Sequence, residues 1–236
     1  LVAATEADMT VTLGFDVYGT LIDTAGIARA LEPHVGERAA GFAALWRTKQ
    51  LEYAFRHGLM QQYRDFAVCT REALDFCCLH FRAAIPESGR RALMNTYRAL
   101  PAFPDAVSGL ARFAQSGFRL FAFSMGRRDD LDALLAHAGI ARHFEGVVSL
   151  QVPQLYKPAP AAYEYFLRET GAAAAEAWLV SGNPFDVLGA VGAGIHGAWV
   201  KRSPDVVLDP WELAPTLIAE DLPLLCGALE ARFDAR

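Results

Sequence analysis

The chain lacks the spacings by which cysteine serves metal or redox chemistry. Its four cysteines, Cys69, Cys77, Cys78 and Cys226, make no C-x-x-C and no paired ligand spacing, which argues against a zinc site or a dithiol motif. Cys77 and Cys78 are adjacent on a helical pattern and read as reduced core thiols of a cytoplasmic protein. No apolar run approaches the roughly 18 residues that span a bilayer, so no membrane association is expected. A basic excess is missing too. With 27 acidic against 22 basic residues, nucleic acid finds no electrostatic hold, and an anionic substrate has to be drawn by local cations. There is no internal repeat, and no low-complexity stretch beyond the alanines at 172–175. Leu1–Asp8 carries no charged-then-apolar signal pattern, and Met9 is expected to be the native start.

What is present fits a globular protein: 236 residues, 53% apolar and 21% charged. That length supports one good-sized domain, or a core with a smaller insert. Val11–Phe15 reads as a buried strand, apolar apart from Thr12. Asp16 then falls at its carboxyl end, where open α/β sheets place ligands, and Gly19-Thr20 follows as a turn.

Residues 24–100 read as almost entirely helical. Glu37–His57 has broad helical spacing, Thr70 opens a second helix near a capping box, and Pro86–Leu100 forms a third with Pro in its first turn. From Phe103 onward strands alternate with helices. Strands are expected at 118–123, 146–149, 177–180 and 196–200. Helices are expected at 104–116, 129–139, 159–170, 185–193 and 221–232. This alternation predicts a doubly wound parallel α/β sheet. The division expected is a core of 9–23 and 101–236, with 24–100 as a helical cap inserted after the first strand.

The run Phe15-Asp16-Val17-Tyr18-Gly19-Thr20-Leu21 resembles the nucleophile loop of the haloacid dehalogenase superfamily. Phosphatases of that superfamily carry a second Asp two residues after the nucleophile, to protonate an alkoxide leaving group. Here Tyr18 stands in its place. A halide leaves without a proton, so the missing acid suits dehalogenation and suits phosphate-ester cleavage poorly. The loop is similar to that of the L-2-haloacid dehalogenase branch, and losing the carboxylate removes a reason to expect Mg²⁺.

Four further clusters carry the resemblance. Taken alone, Ser124 reads as a turn residue; as the second motif it would bind the substrate carboxylate. The dehalogenase pattern has Asn at the next position, and this chain has Met125. Lys157, before Pro158, resembles the third motif, whose ammonium would pair with Asp16 and keep it ionised. Tyr163 matches a dehalogenase position that hydrogen-bonds in this pocket, and equally reads as a core aromatic. Ser181-Gly182-Asn183-Pro184-Phe185-Asp186 matches a Ser-x-Asn-x-x-Asp pattern in which Asp186 would activate water while Ser181 and Asn183 hold the geometry. On bare residues, Asn183 is a helix N-cap and Asp186 a first-turn acid.

The last cluster, Trp46-Arg47-Thr48-Lys49-Gln50-Leu51-Glu52-Tyr53, reads by composition as a helix with an exposed basic face. It also resembles the dehalogenase segment whose arginine, here Arg47, receives the departing halide; a guanidinium stays charged and tolerates partial desolvation. Thr20 is placed with the catalytic group. Phe66 and Phe185 are expected as apolar walls around the halogen, or as plain core residues.

The resemblance implies hydrolysis of small L-2-haloalkanoic acids or haloacetates to 2-hydroxy acids. It would proceed through an ester on Asp16, with inversion, without metal or cofactor, in a homodimer. Two alternatives are a Mg²⁺-dependent phosphatase of the same fold and a non-catalytic binding protein of that fold.

Overall fold

A computed structural model describes residues 11–234; the expectation about Met9 lies outside them. The sheet has six parallel strands: β1 (Thr12–Phe15), β2 (Arg119–Ser124), β3 (Gly146–Ser149), β4 (Ala177–Ser181), β5 (His196–Val200) and β6 (Leu217–Ala219). Their order is β3-β2-β1-β4-β5-β6, and each neighbouring pair is parallel. The chain winds outward from β1 in one direction and then from β4 in the other. The crevice between the carboxyl ends of β1 and β4 is therefore the topological switch point.

Alternation along β2 explains how the sheet is covered. Leu120 and Ala122 face one apolar core together with Leu13, Phe15, Phe113, Leu225 and Leu229. Phe121 and Phe123 face the other, with Tyr163 and Phe166. The first layer draws on α5 (Ala106–Gln115), α6 (Arg128–His137) and α9 (Leu222–Asp234), the second on α7 (Pro160–Thr170) and α8 (Pro184–Gly192). Gly14 is required in β1 because a Cβ there would lie 2.7 Å from the Phe166 ring. Full burial on both faces is what makes this strand read as one apolar run.

Between β1 and α5 lie four helices: α1 (Gly26–Val35), α2 (Ala39–Leu59), α3 (Phe66–His80) and α4 (Glu87–Thr96). Phe42, Trp46, Ala73, Leu74, Cys77 and Cys78 bury the seam of this bundle. All four cysteines are free and buried. Burial pushes the Cys77 thiol up to about 12 and the Cys226 thiol up to about 11, which keeps both protonated.

Three expectations need correction. Thr70 does not open a helix: α3 starts a turn earlier, at Phe66, and Thr70 is buried inside it, its hydroxyl donating to the Phe66 carbonyl at 2.8 Å. The same residue type caps a helix or bonds back one turn, and packing against α2 decides which. Pro86 is the N-cap of α4 rather than part of its first turn, and the helix ends at Thr96, short of Leu100. Strand β6 was not expected; with three residues and partial exposure at the sheet edge, it has no periodic signal to read.

The α5–α9 layer is tight enough to test. A Cβ on Gly109 would sit 2.5 Å from Leu222 Cβ, so Gly109→Ala overpacks two helices and should cost about 1–3 kcal/mol. Calorimetry should show Tm lowered by roughly 2–4 °C per kcal/mol for a domain of this size; an unchanged Tm would refute this packing.

Candidate active site

Four strand ends and one helix of the bundle converge on Asp16. The loop after β1 folds back on itself, with the amides of Leu21 and Ile22 both bonded to the Val17 carbonyl. Gly19 makes this possible at φ 78, a left-handed conformation that costs a residue without Cβ little. Gly182 faces it, and a Cβ there would overlap the Gly19 carbonyl oxygen. Arg202 braces the same loop: its Nε donates to the Thr20 carbonyl at 3.0 Å, and Nη1 to Asp105 Oδ2 at 2.7 Å. Sequence reading missed Arg202, because nothing in its local pattern distinguishes it from a surface arginine.

The loop turns the Asp16 carboxylate into the switch-point crevice, and both oxygens are engaged. Oδ2 accepts from Thr20 Oγ1 at 2.7 Å and from Asn183 Nδ2 at 2.8 Å. Oδ1 accepts only from Lys157 Nζ, at 3.2 Å. Thr20 Oγ1 in turn accepts from the Gly182 amide at 2.8 Å, tying β1 to β4. Asn183 stands at the N-cap position of α8 but makes no side-chain cap bond. Its amide is spent on Asp16 and, at 3.1 Å, on the Tyr18 carbonyl. Ser181 Oγ accepts from the backbone N–H of Asn183 at 3.1 Å and so fixes the turn into α8.

Lys157 is 1% exposed and donates three times: to Asp16, to Asp186 Oδ2 at 2.8 Å and to the Phe123 carbonyl at 2.9 Å. An ammonium has three protons, so its donor capacity is filled. The Phe123 ring lies 4.2 Å from Nζ and adds a cation–π contact. Asp186 is fully buried, with Oδ1 held by the Tyr163 hydroxyl at 2.8 Å. Burial raises the Asp186 carboxyl above the usual carboxylate range, Asp16 adds to the rise, and Lys157 and Tyr163 oppose it. Two carboxylates thus share one ammonium, and the more deeply buried one carries the cost.

Arg47, on α2, reaches this cluster from the bundle. Its Nη1 donates to Gln50 Oε1 at 2.7 Å, and its Nη2 lies 3.5 Å from Asn183 Oδ1. The basic face expected of α2 is divided: Lys49 and Arg56 pair with Glu52 toward solvent, while Arg47 turns inward with buried Trp46 and Gln50.

Beside the cluster is a cavity of about 270 Å³, lined among others by Tyr18, Gln50, Phe66, Thr70 and Tyr97. Of the expected substrate contacts, Tyr18 and Phe66 line it; Ser124, Met125, Tyr163 and Phe185 do not. Ser124 Oγ accepts from the Gly126 amide at 3.2 Å. Met125 is buried in the same apolar cluster as Phe123 and Phe66. Phe185 meets Phe55 of α2 edge-on at 5.4 Å, so it joins the bundle to α8. The Tyr18 hydroxyl points to the Tyr97 carbonyl at 3.4 Å, and burial raises it well above the ordinary phenol range, which makes it a poor proton donor. Gln50 and Thr70 were not foreseen as part of the site. The i, i+3 spacing of Gln50 from Arg47 was the available signal.

A carboxylate paired with a buried lysine, at the switch point of a parallel sheet, is an arrangement suited to hydrolytic chemistry. A family model for haloacid dehalogenase-like hydrolases matches residues 11–194, and the chain belongs to that family. It is similar to the (S)-2-haloacid dehalogenase of Xanthobacter autotrophicus, 37% identical over 188 residues that cover 80% of this chain and 74% of that one. It also resembles haloacetate dehalogenase H-2 of Moraxella sp. (strain B), 33% identical over 190 residues, covering 80% and 85% of the two chains. The solved structure of L-2-haloacid dehalogenase from Xanthobacter autotrophicus with chloropropionic acid covalently bound superposes with a TM-score of 0.87. It is 30% identical and covers 93% of this chain and 98% of that one.

The raised Asp186 carboxyl has a consequence for stability. A group whose folded pKa lies above its unfolded value stabilises the fold below the unfolded pKa, and loses that contribution as pH rises through the folded one. Asp186→Asn removes the charge. Its amide can turn its oxygen to Lys157 and its NH₂ to the Tyr163 oxygen, while Tyr163 keeps its proton on the Asp186 carbonyl at 3.0 Å. The variant should gain in Tm relative to wild type as pH is raised from acid to neutral. A difference that is flat or falls with pH, in paired melting curves, would contradict the raised carboxyl.

Proposed function

We propose that the protein hydrolyses small L-2-haloalkanoic acids or haloacetates to 2-hydroxy acids through an aspartyl ester. The observation that carries this is the asymmetry of Asp16. Oδ2 is pinned by two short bonds, and Oδ1 has one longer bond and a free lone pair. Oδ1 is the nucleophile. It attacks the halogen-bearing carbon from behind, the carbon–halogen pair leaves as halide toward Arg47, and the carbon inverts. Water then attacks the carbonyl of the Asp16 ester and loses one proton to Asp186; the acyl carbon–oxygen bond breaks, the leaving alkoxide takes the other proton of the water, and the Asp16 carboxylate is restored. Lys157 balances the charge that moves between the two carboxylates. The products are the 2-hydroxy acid, halide and one proton.

In this reading residues 24–100 are a cap that supplies Arg47 and shields the alkylation step from bulk water. Ser124 and the neighbouring amides hold the substrate carboxylate. Ser181 keeps Asn183 turned to Asp16, and Tyr163 holds Asp186. Phe66 is an apolar wall of the cavity, Met125 belongs to the same buried apolar cluster, and Phe185 packs on Phe55 between the layers. The exposed Leu59 of α2, Met60 just after it and Leu79 of α3 suit contact with a second copy, and the buried thiols suit a cytoplasmic setting. No helix among the described residues is long and apolar enough to cross a membrane. A phosphatase reading is disfavoured by Tyr18, which offers no acid, and a pure binding role by the intact Asp16–Lys157–Asp186 set.

With EDTA present, L-2-chloropropionate should release chloride and give the D-hydroxy acid, while p-nitrophenyl phosphate with Mg²⁺ stays intact. Asp16→Asn should lower turnover by more than about 10³-fold. In H₂¹⁸O, a single turnover with excess enzyme should leave the label in the Asp16 peptide. Label found only in the product would sink the ester intermediate.

A further inference from the structure

Arg47 is held by more than its own length, and the way it is held is directional. We propose that Gln50 and Thr70 are positioning residues that aim the Arg47 guanidinium, a proposal that rests on Arg47 receiving the departing halide.

The groups form one hydrogen-bonded chain between two ends that can only accept: the Phe66 carbonyl and the Asp16 carboxylate. Its centre, the Arg47 guanidinium, can only donate. Thr70 Oγ1 gives its proton to the Phe66 carbonyl at 2.8 Å, so its lone pair takes Gln50 Nε2 at 2.6 Å. That leaves Gln50 Oε1 to face Arg47 Nη1 at 2.7 Å. On the other side Asn183 spends its NH₂ on Asp16 and on the Tyr18 carbonyl, leaving Oδ1 for Arg47 Nη2. Turning either amide over sets N–H against N–H. Both orientations are therefore dictated from the ends of the chain inward.

Burial makes this order binding. Gln50 is 2% exposed and Thr70 4%, and an unmatched donor in such surroundings is expensive. Thr70 is fixed from its other side as well, since its carbonyl accepts from Trp46 Nε1 at 2.8 Å. The two ends of the guanidinium differ. Nη1 makes a short bond to a buried amide, whereas Nη2 makes a long one to Asn183. Arg47 is thus anchored at Gln50 and lightly held at Asn183, so a halide can take the Nη2 side without unseating the side chain. Gln50 and Thr70 also line the cavity beside the site, which places the anchor next to the space a substrate would use.

Thr70→Val keeps the shape and removes the hydroxyl, and Thr70→Ser keeps the hydroxyl. With the Thr70 acceptor gone, the Gln50 NH₂ is left unpaired in buried surroundings and the amide loses the bond that fixes its Oε1 on Arg47. Bromide titrated calorimetrically into each protein should bind about tenfold more weakly to Thr70→Val, the loss expected for one buried hydrogen bond. Thr70→Ser should stay close to wild type. Turnover should follow the same order, with kcat on 2-chloropropionate falling more than on 2-bromopropionate, because the poorer leaving group depends more on Arg47, and with KM little changed. Bromide binding by Thr70→Val equal to wild type, or no bromide binding by wild type, would overturn the relay. Wild type that binds bromide yet releases no halide from any haloacid would refute dehalogenation while the titration still decides the relay.

Discussion

One buried ammonium organises the centre of this protein. Lys157 lies between Asp16 and Asp186 with all three protons used, and it offsets the cost of burying the Asp186 carboxylate completely. Replacing the three groups by apolar residues of similar volume would give an ordinary, easily stabilised core. The arrangement keeps instead a carboxylate with an unused lone pair next to one whose burial makes it a better proton acceptor. Stability is given up at Asp186, and the surrounding packing of Phe123, Tyr163 and Phe166 holds the geometry in place.

The parallel sheet makes that arrangement possible. Asp16, Ser124 and Ser181 come from segments far apart in the chain, yet each ends a neighbouring strand, and Lys157 and Asp186 follow from adjacent crossovers. The bundle contributes from the opposite side through Arg47 alone among the charged groups at the centre. Phe185 against Phe55 and the Arg47–Asn183 approach link the two layers directly, so the Asp16 carboxylate and the Arg47 guanidinium both meet Asn183, just after β4. Membership of the haloacid dehalogenase-like hydrolases accounts for the shared frame. Met125 is a departure from the pattern the chain otherwise resembles.

Much of this was legible beforehand for a physical reason. The central strands are buried on both faces and read as apolar runs, and glycines such as Gly117 and Gly171 end helices where a positive φ is needed. Asp16, Lys157, Asn183 and Asp186 could be picked out because their order along the chain resembles the motifs of the haloacid dehalogenase superfamily, although Asn183 and Asp186 also suit a helix start by themselves. Thr70 was misread because local pattern cannot separate a capping threonine from one that bonds back inside a helix. The cavity walls were only half anticipated: Phe66 and Tyr18 reach it, while Phe185 serves the interface between layers.

What the sequence determined by itself was therefore order and chemical type: alternating elements, a helical insertion, and an aspartate at a strand end with Tyr18, not a second acid, two residues on. Burial periodicity and turn chemistry are local, and they survive in one dimension. What only the tertiary structure decided was direction: which oxygen of Asp16 is free, which way the amides of Gln50 and Asn183 face, and which arginine of α2 turns inward. Those choices depend on donors and acceptors brought together from distant segments, and no local pattern encodes the far end of a hydrogen bond.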